Sequence, residues 1–252
     1  MRVFHILFLL LPFTLSAQTK KPVKYISTTS TEAGINLASN GSMTATTIHV
    51  ERYYGLGKKK KKFSIGFGAR LTSSFGSGSL EYITAPAKIT SGETGPGVFF
   101  ASNIPENIDT LILDGTQVNS INAYVLLNYK FHKKWRAEFN IDLAGLSIGG
   151  RKNGILYYGE STPAAKFTTT AQPTTGNLLL ISDNDLGSLN SELKVFYSLK
   201  KRVSVSAGFT FLFNEYTIDN RVNYTNSLGN NIAVDRFRNK SLLFGLGVNI
   251  TL

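Results

Sequence analysis

Apolar side chains recur at every second position in stretch after stretch of this chain, and the residues between them are small, polar or charged. In "KWRAEFNIDLAGLSI", Trp135, Ala137, Phe139, Ile141 and Leu143 share one phase. Arg136, Glu138, Asn140 and Asp142 share the other. A helix repeats every ~3.6 residues and would mix the two sets, whereas a strand holds them on opposite faces. The rhythm returns at Phe63–Leu71, Ile121–Phe131, Leu189–Leu199, Val203–Phe213 and Leu242–Leu252. Weaker versions occupy 25–39, with Ala33, Ile35 and Leu37, and 42–55, with Ile48, Val50 and Tyr54. Eight strands are expected.

The connections differ in kind. Three are short and basic: Gly55 to Lys62, with Lys58, Lys59, Lys60, Lys61 and Lys62 in a row; His132 with Lys133 and Lys134; and Lys200, Lys201 and Arg202. Three are long and rich in Ser, Thr, Gly and Asn, at 76–116, 149–185 and 217–236. The first hairpin has a tight "SNGS" turn, where Asn-Gly favours a two-residue connection. Short and long ends therefore lie on opposite sides of one sheet.

The two faces decide the solvent. The apolar face is nearly unbroken, and Tyr54, Phe63, Tyr129, Phe131, Trp135 and Tyr197 cluster beside the basic turns. That is the expected girdle where strands leave lipid for head groups. The other face carries Glu51, Arg70, Arg136, Glu138, Asp142, Glu192 and Lys194, with Lys130 near its rim. Such groups suit the inside of a closed barrel, since an open sheet edge in hydrocarbon leaves costly unpaired backbone groups. The expected fold is all-β: a closed, antiparallel, up-and-down transmembrane β-barrel. It has eight strands, or ten if "LEYITA" and "DTLILD" in the longest loop also pair. Four acids facing four bases suggest an ion-pair lattice filling the lumen.

The N-terminal "MRVFHILFLLLPFTLSAQ" has a basic residue, a short apolar core and small residues at Ser16 and Ala17. That order matches a cleaved signal peptide at 1–17, with the barrel domain at 18–252. Lys plus Arg outnumber Asp plus Glu by 27 to 16, a formal charge of +11. The export signal directs this charge toward anionic membrane surfaces and away from nucleic acid. Cysteine is absent, which removes disulfides, thiolate metal sites and cysteine nucleophiles.

The leader, the alternating strands, the asymmetry of the connections and the closing "SLLFGLGVNITL" together resemble the small OmpA/OmpX-type outer-membrane barrels of Gram-negative bacteria. The resemblance implies an outer-membrane location with termini and short turns in the periplasm and long loops outside the cell. It also implies a last strand read by the barrel-insertion machinery. That strand usually ends in an aromatic; here it ends in Leu252. Outer-membrane lipid and lipopolysaccharide would surround the wall, and the basic turns would meet anionic head groups.

No cofactor, metal or catalytic residue is expected. Glycine-rich "GFGARL" and "GLGVNI" lie inside strands with no following helix, so they are not phosphate loops. His49 shares the inward phase with Glu51 and is read as part of the polar lattice. Registering the hairpin across Tyr54 and Phe63 sets His49 against Gly68. His132 sits in a basic turn. The His-x-Ser pair of lipid-A deacylases is absent, because His49 is followed by Val50 and Glu51. Apolar patches at Val98–Ile104 and Ile155–Gly159 are expected to pack within the first loop and, with "NLLLIS", to extend the fifth and sixth strands. The function expected is non-enzymatic: interaction, adhesion or a secretion-associated role through an extracellular or periplasmic protein partner. The alternatives are a small pore or transporter, and a lipid A or phospholipid acyl hydrolase or transferase.

Overall fold

The computed structural model describes residues 29–56, 62–93, 100–159, 166–180, 185–225, 229 and 231–252. The proposed leader at 1–17, Lys58 to Lys61, and Val98 and Phe99 lie outside the described residues. The fold is one antiparallel sheet of thirteen strands, not the eight expected: β1 (Thr29–Ser39), β2 (Met43–Leu56), β3 (Phe63–Gly76), β4 (Ser79–Thr84), β5 (Thr110–Asp114), β6 (Gln117–Tyr129), β7 (Trp135–Ile148), β8 (Lys152–Tyr157), β9 (Lys166–Pro173), β10 (Gly176–Leu178), β11 (Leu189–Ser198), β12 (Val203–Thr225) and β13 (Asn231–Thr251). The additional strands β4, β5, β8, β9 and β10 lie in segments read from sequence as loops. The expected loop at 217–236 is largely the paired continuation of β12 and β13.

The pairings trace two closed circuits. One runs β1–β2–β3–β6–β7–β11–β12–β13 and back to β1. The other leaves β12 at Tyr216 for β9, passes through β8, β5 and β4, and returns to β13 at Phe237. The long β12–β13 hairpin belongs to both: its lower half closes the first barrel and its upper half closes the second.

The first circuit is inside out. Phe67, Phe139 and Phe209 point outward and are 56%, 47% and 50% exposed, while Arg70, Glu138 and Asp142 are buried at 2%, 1% and 0%. Burying apolar surface is worth roughly 25 cal/mol per Å². A continuous belt of this extent, displayed to water, would therefore be strongly unfavourable. Hydrocarbon is the medium that suits it.

A bulge keeps the belt in phase. Ala123 pairs with Ala144 but Tyr124 with Asp142, so Leu143 is extra on β7. The extra residue switches the alternation, and Leu146 and Ile148 stay outside above Phe139. Leu189, expected on the outer face, is instead 3% exposed. It lies where β12 passes from β11 to β9 as its edge partner. The first hairpin turns at Gly41 with φ 92°.

The belt supports a direct test. Phe139→Arg should weaken insertion of the folded barrel into lipid vesicles by about 2–4 kcal/mol. Urea-dependent partitioning measures this, and an unchanged midpoint would mean that Phe139 does not meet hydrocarbon.

Two loop expectations are corrected. Ile155 to Tyr157 form part of β8, pairing with β5 and β9 instead of lengthening β7 and β11. Of the "NLLLIS" stretch, Asn177 and Leu178 in β10 pair with Gly145 and Ala144 of β7. Phe100 does not pack within its loop; it is 92% exposed.

Candidate functional site

The interior of the first barrel is a filled polar column. Strand alternation delivers its members: odd residues of β2, even residues of β3, β6, β11 and lower β12, and odd residues of lower β13 face inward. Arg70 is the hub. Its Nε meets Asp142 Oδ1 at 2.6 Å, Nη1 meets Glu192 Oε2 at 2.8 Å, and Nη2 donates to the Asn190 carbonyl at 3.2 Å. The guanidinium lies 4.5 Å from the Tyr124 ring centroid. Lys194 contacts Glu192 at 3.0 Å and Glu138 at 3.8 Å. Asn122 donates to Asp142 at 2.7 Å, and Asn140 to Glu192 at 3.0 Å. A charge this deep is tolerable only when such partners replace its lost hydration.

Seven of the eight expected lumen residues, Glu51, Arg70, Arg136, Glu138, Asp142, Glu192 and Lys194, are drawn into this column. Lys130 is not: it is exposed at the lower rim. Glu32, missed in the sequence, joins from β1 and grips Arg136 through two hydrogen bonds of 2.9 and 2.5 Å. The even balance of four acids and four bases therefore becomes five carboxylates against Arg70, Arg136 and Lys194. Phenols supply the missing donors. Tyr53 bonds both Glu51 and Glu138, the latter at 2.6 Å, and Tyr124 bonds Glu51 at 2.7 Å. Gly68 makes room for this, since a Cβ there would lie 2.6 Å from the Tyr124 hydroxyl. The same phase places Tyr53, Tyr124 and Phe196 on the inward face, where all three are buried.

His49 faces Arg70 across the β2–β3 pair, not Gly68, because Leu56 pairs with Phe63 and shifts the register by two residues. Its Nε2 is 2.9 Å from Asn249 Oδ1 and 3.9 Å from Glu51. It is buried on the lumen face, away from the belt. His132 lies in the turn before β7, where its Nδ1 accepts from the Lys134 amide at 3.4 Å.

Above the polar column part of the inner wall turns apolar, beside the buried Asn214 and Ser74. Ala38, Met43, Ala45, Leu212 and Leu243 form a plug with Leu80 of β4 packed against it. Beyond it lies the core of the second barrel: Tyr82, Leu111, Leu113, Leu156, Ala171, Tyr216, Ile218, Val234 and Phe237, joined by Val118 of β6. Every strand of the second circuit contributes at least one of these side chains. Tyr82 and Tyr216 meet edge to face at 5.2 Å.

At the opposite end the outward aromatics gather as stacked or tilted pairs. Phe63 and Tyr129 are 4.5 Å apart, Trp135 and Tyr197 4.8 Å, Tyr129 and Phe131 6.4 Å, and Tyr54 stacks on Phe67 at 5.9 Å. Lys62, Lys133, Lys134, Lys200, Lys201 and Arg202 are exposed beside them.

No family model and no curated protein sequence matches the chain. Solved structures similar to it include Neisserial surface protein A, at 12% identity over 89% of this chain and 96% of that one, TM-score 0.33. Ail, the attachment invasion locus protein of Yersinia pestis, solved with the heparin analogue sucrose octasulfate, is 8% identical over 90% and 97%, TM-score 0.27. The toluene transporter TodX of P. putida is 7% identical over 88% and 89%, TM-score 0.20.

Proposed function

We propose that this chain is a non-enzymatic, non-conducting outer-membrane barrel of the small eight-stranded OmpA/OmpX type, carrying a rigid second barrel as an interaction platform outside the cell. The eight-membered circuit crosses the bilayer in this reading. The short basic turns sit in the periplasm against anionic head groups, and the C-terminal strand β13 engages the insertion machinery. Lipopolysaccharide surrounds the upper wall, and the partner is an extracellular protein.

The observation that carries the reading is the β12–β13 pair, whose ladder runs without a register shift from Val203 to Thr217, past the point where β9 and β4 join it. It runs from a belt suited to hydrocarbon into a separately closed, apolar-cored barrel. A fixed projection of this kind presents surface at low entropic cost to a partner. The axis supports the absence of transport: a polar lattice, an apolar plug and an apolar core follow one another along it.

Purified folded protein in a planar bilayer should show no discrete conductance steps. Steps that persist when residues 76–116 are shortened would restore the pore alternative. Acyl release from lipid that disappears in His49→Ala would restore the enzyme alternative. For the platform itself, partner capture on intact cells should be lost when 76–116 or 149–185 is replaced by a short linker that leaves the membrane barrel folded. Capture that survives both replacements would rule the platform out.

A further inference from the structure

The basic turns do more than ring the barrel. Those at 132–134 and 200–202 meet at its lower mouth, where a cavity of about 330 Å³ opens. Lys130, Lys134, Lys200 and Lys201 stand around it, with Arg136 and Glu32 at its floor. Both oxygens of Glu32 are taken by Arg136. No other carboxylate lines the cavity among the described residues, and none of the four lysines has an ion-pair partner there. The hydroxyls of Ser30, Ser64, Ser198 and Ser204 and the buried amide of Asn128 add neutral groups.

The frame holding these charges is fixed. The Lys130 amide donates to the Lys62 carbonyl at 2.7 Å, the Ser198 amide to Lys134 at 2.9 Å, and the Thr251 amide to Arg202 at 2.8 Å. Four lysines rise from this frame around one cavity, and a bound anion would relieve the repulsion among their charges. The floor is closed. The Arg136 guanidinium lies 4.0 Å from the Phe196 ring centroid and 5.1 Å from that of Tyr53, whose hydroxyl is spent on Glu51 and Glu138. An anion can enter this cup but meets no open path upward.

We infer that the lower mouth is a binding site for a phosphate-bearing anion. A point-charge cluster with hydroxyl donors suits phosphate oxygens, which accept from lysine without demanding a planar fork. The room available exceeds that of a single chloride and suits a diphosphate or a phosphorylated head group. The site does not depend on which compartment the mouth faces.

Trp135 lines the same cavity and is the chain's only tryptophan, so its fluorescence reports on occupancy. Inorganic pyrophosphate titrated into the folded full chain in a zwitterionic detergent should produce a saturable change in emission. The Lys130→Gln/Lys134→Gln/Lys200→Gln/Lys201→Gln variant should raise the half-saturation concentration roughly ten-fold or more, as expected from losing several modest charge contacts. Lys152→Gln/Lys166→Gln, at the other end, should leave it unchanged, and added sodium chloride should weaken binding. No saturable response, or equal affinity in a quadruple variant that still runs as a folded barrel on unheated gels, overturns the site. The same titration in nanodiscs identifies the source. A response silenced by phosphatidylglycerol assigns the cup to a lipid head group; one preserved there assigns it to a soluble phosphate compound.

Discussion

Arg70→Met should lower the unfolding free energy of the barrel by about 3–5 kcal/mol, the usual cost of stripping one partner from a buried ion pair. Arg70 is fully enclosed and bridges β3 to β7 and β11 through Asp142, Glu192 and the Asn190 carbonyl. The two acids do not suffer equally. Glu192 keeps Lys194, Asn140 and Asn36, whereas Asp142 keeps only Asn122 and the Asn190 amide as donors. Most of the loss should therefore pass through Asp142. Adding Asp142→Asn should recover part of it, giving a coupling energy of roughly 1–3 kcal/mol in the double-mutant cycle. Arg70→Lys should recover less than its conserved charge suggests. One ammonium cannot serve three acceptors in the plane that the guanidinium covers while also stacking on Tyr124. Urea unfolding in phospholipid vesicles, followed by Trp135 emission and gel mobility, measures all four variants. A loss below about 1 kcal/mol for Arg70→Met would put the pair on the footing of a surface salt bridge and remove the lattice as a determinant of the closed barrel.

The lattice was legible in the sequence because strand alternation is a local property. Once Trp135, Phe139 and Leu143 define the outer phase, Arg136, Glu138 and Asp142 can only point inward. The same rule reaches Tyr53, Tyr124 and Phe196, but only if the inward face is read for aromatics as well as charges. Glu32 was hidden because β1 is weakly patterned. Lys130 stands near the rim, as expected, but outside the lattice, because it lies one step beyond the end of β6, where alternation no longer fixes a side chain. The second barrel was legible in pieces. "LEYIT" and "TLILD" alternate well enough to be strands, yet nothing local says that β5 will pair with β8, or β9 with β12. That choice is made by packing between distant residues. The Tyr216 hydroxyl, for instance, bonds the Gln117 carbonyl 99 positions away at 3.1 Å. The Thr-rich β9 hides its role further, since only Ala171 reaches the core fully.

Tyr216→Ala should unfold the second barrel while leaving the first intact. Tyr216 is 0% exposed, packs edge to face on Tyr82 and holds both the amide and the carbonyl of Gln117. Truncating a buried aromatic costs about 3–5 kcal/mol, a large part of what a small barrel can have in reserve. Burial pushes the Tyr82 phenol well above its ordinary range and that of Tyr216 up to about 12, so both stay neutral within the core. The damage has little route downward. The plug of Ala38, Met43, Ala45, Leu212 and Leu243 stands between this core and the polar column, and the lower circuit closes on itself without β4, β5, β8 or β9. Amide hydrogen exchange should therefore lose protection in β4, β5, β8 and β9 and retain it in β2, β3 and β6. The shared hairpin should divide within a single strand, with the half of β12 beyond Tyr216 exchanging and Val203 to Phe213 staying protected by β11 and β13. Loss of protection throughout the chain would mean that the two circuits fold as one unit. A platform that must keep its shape outside the membrane would then depend on the lipid-facing wall below it.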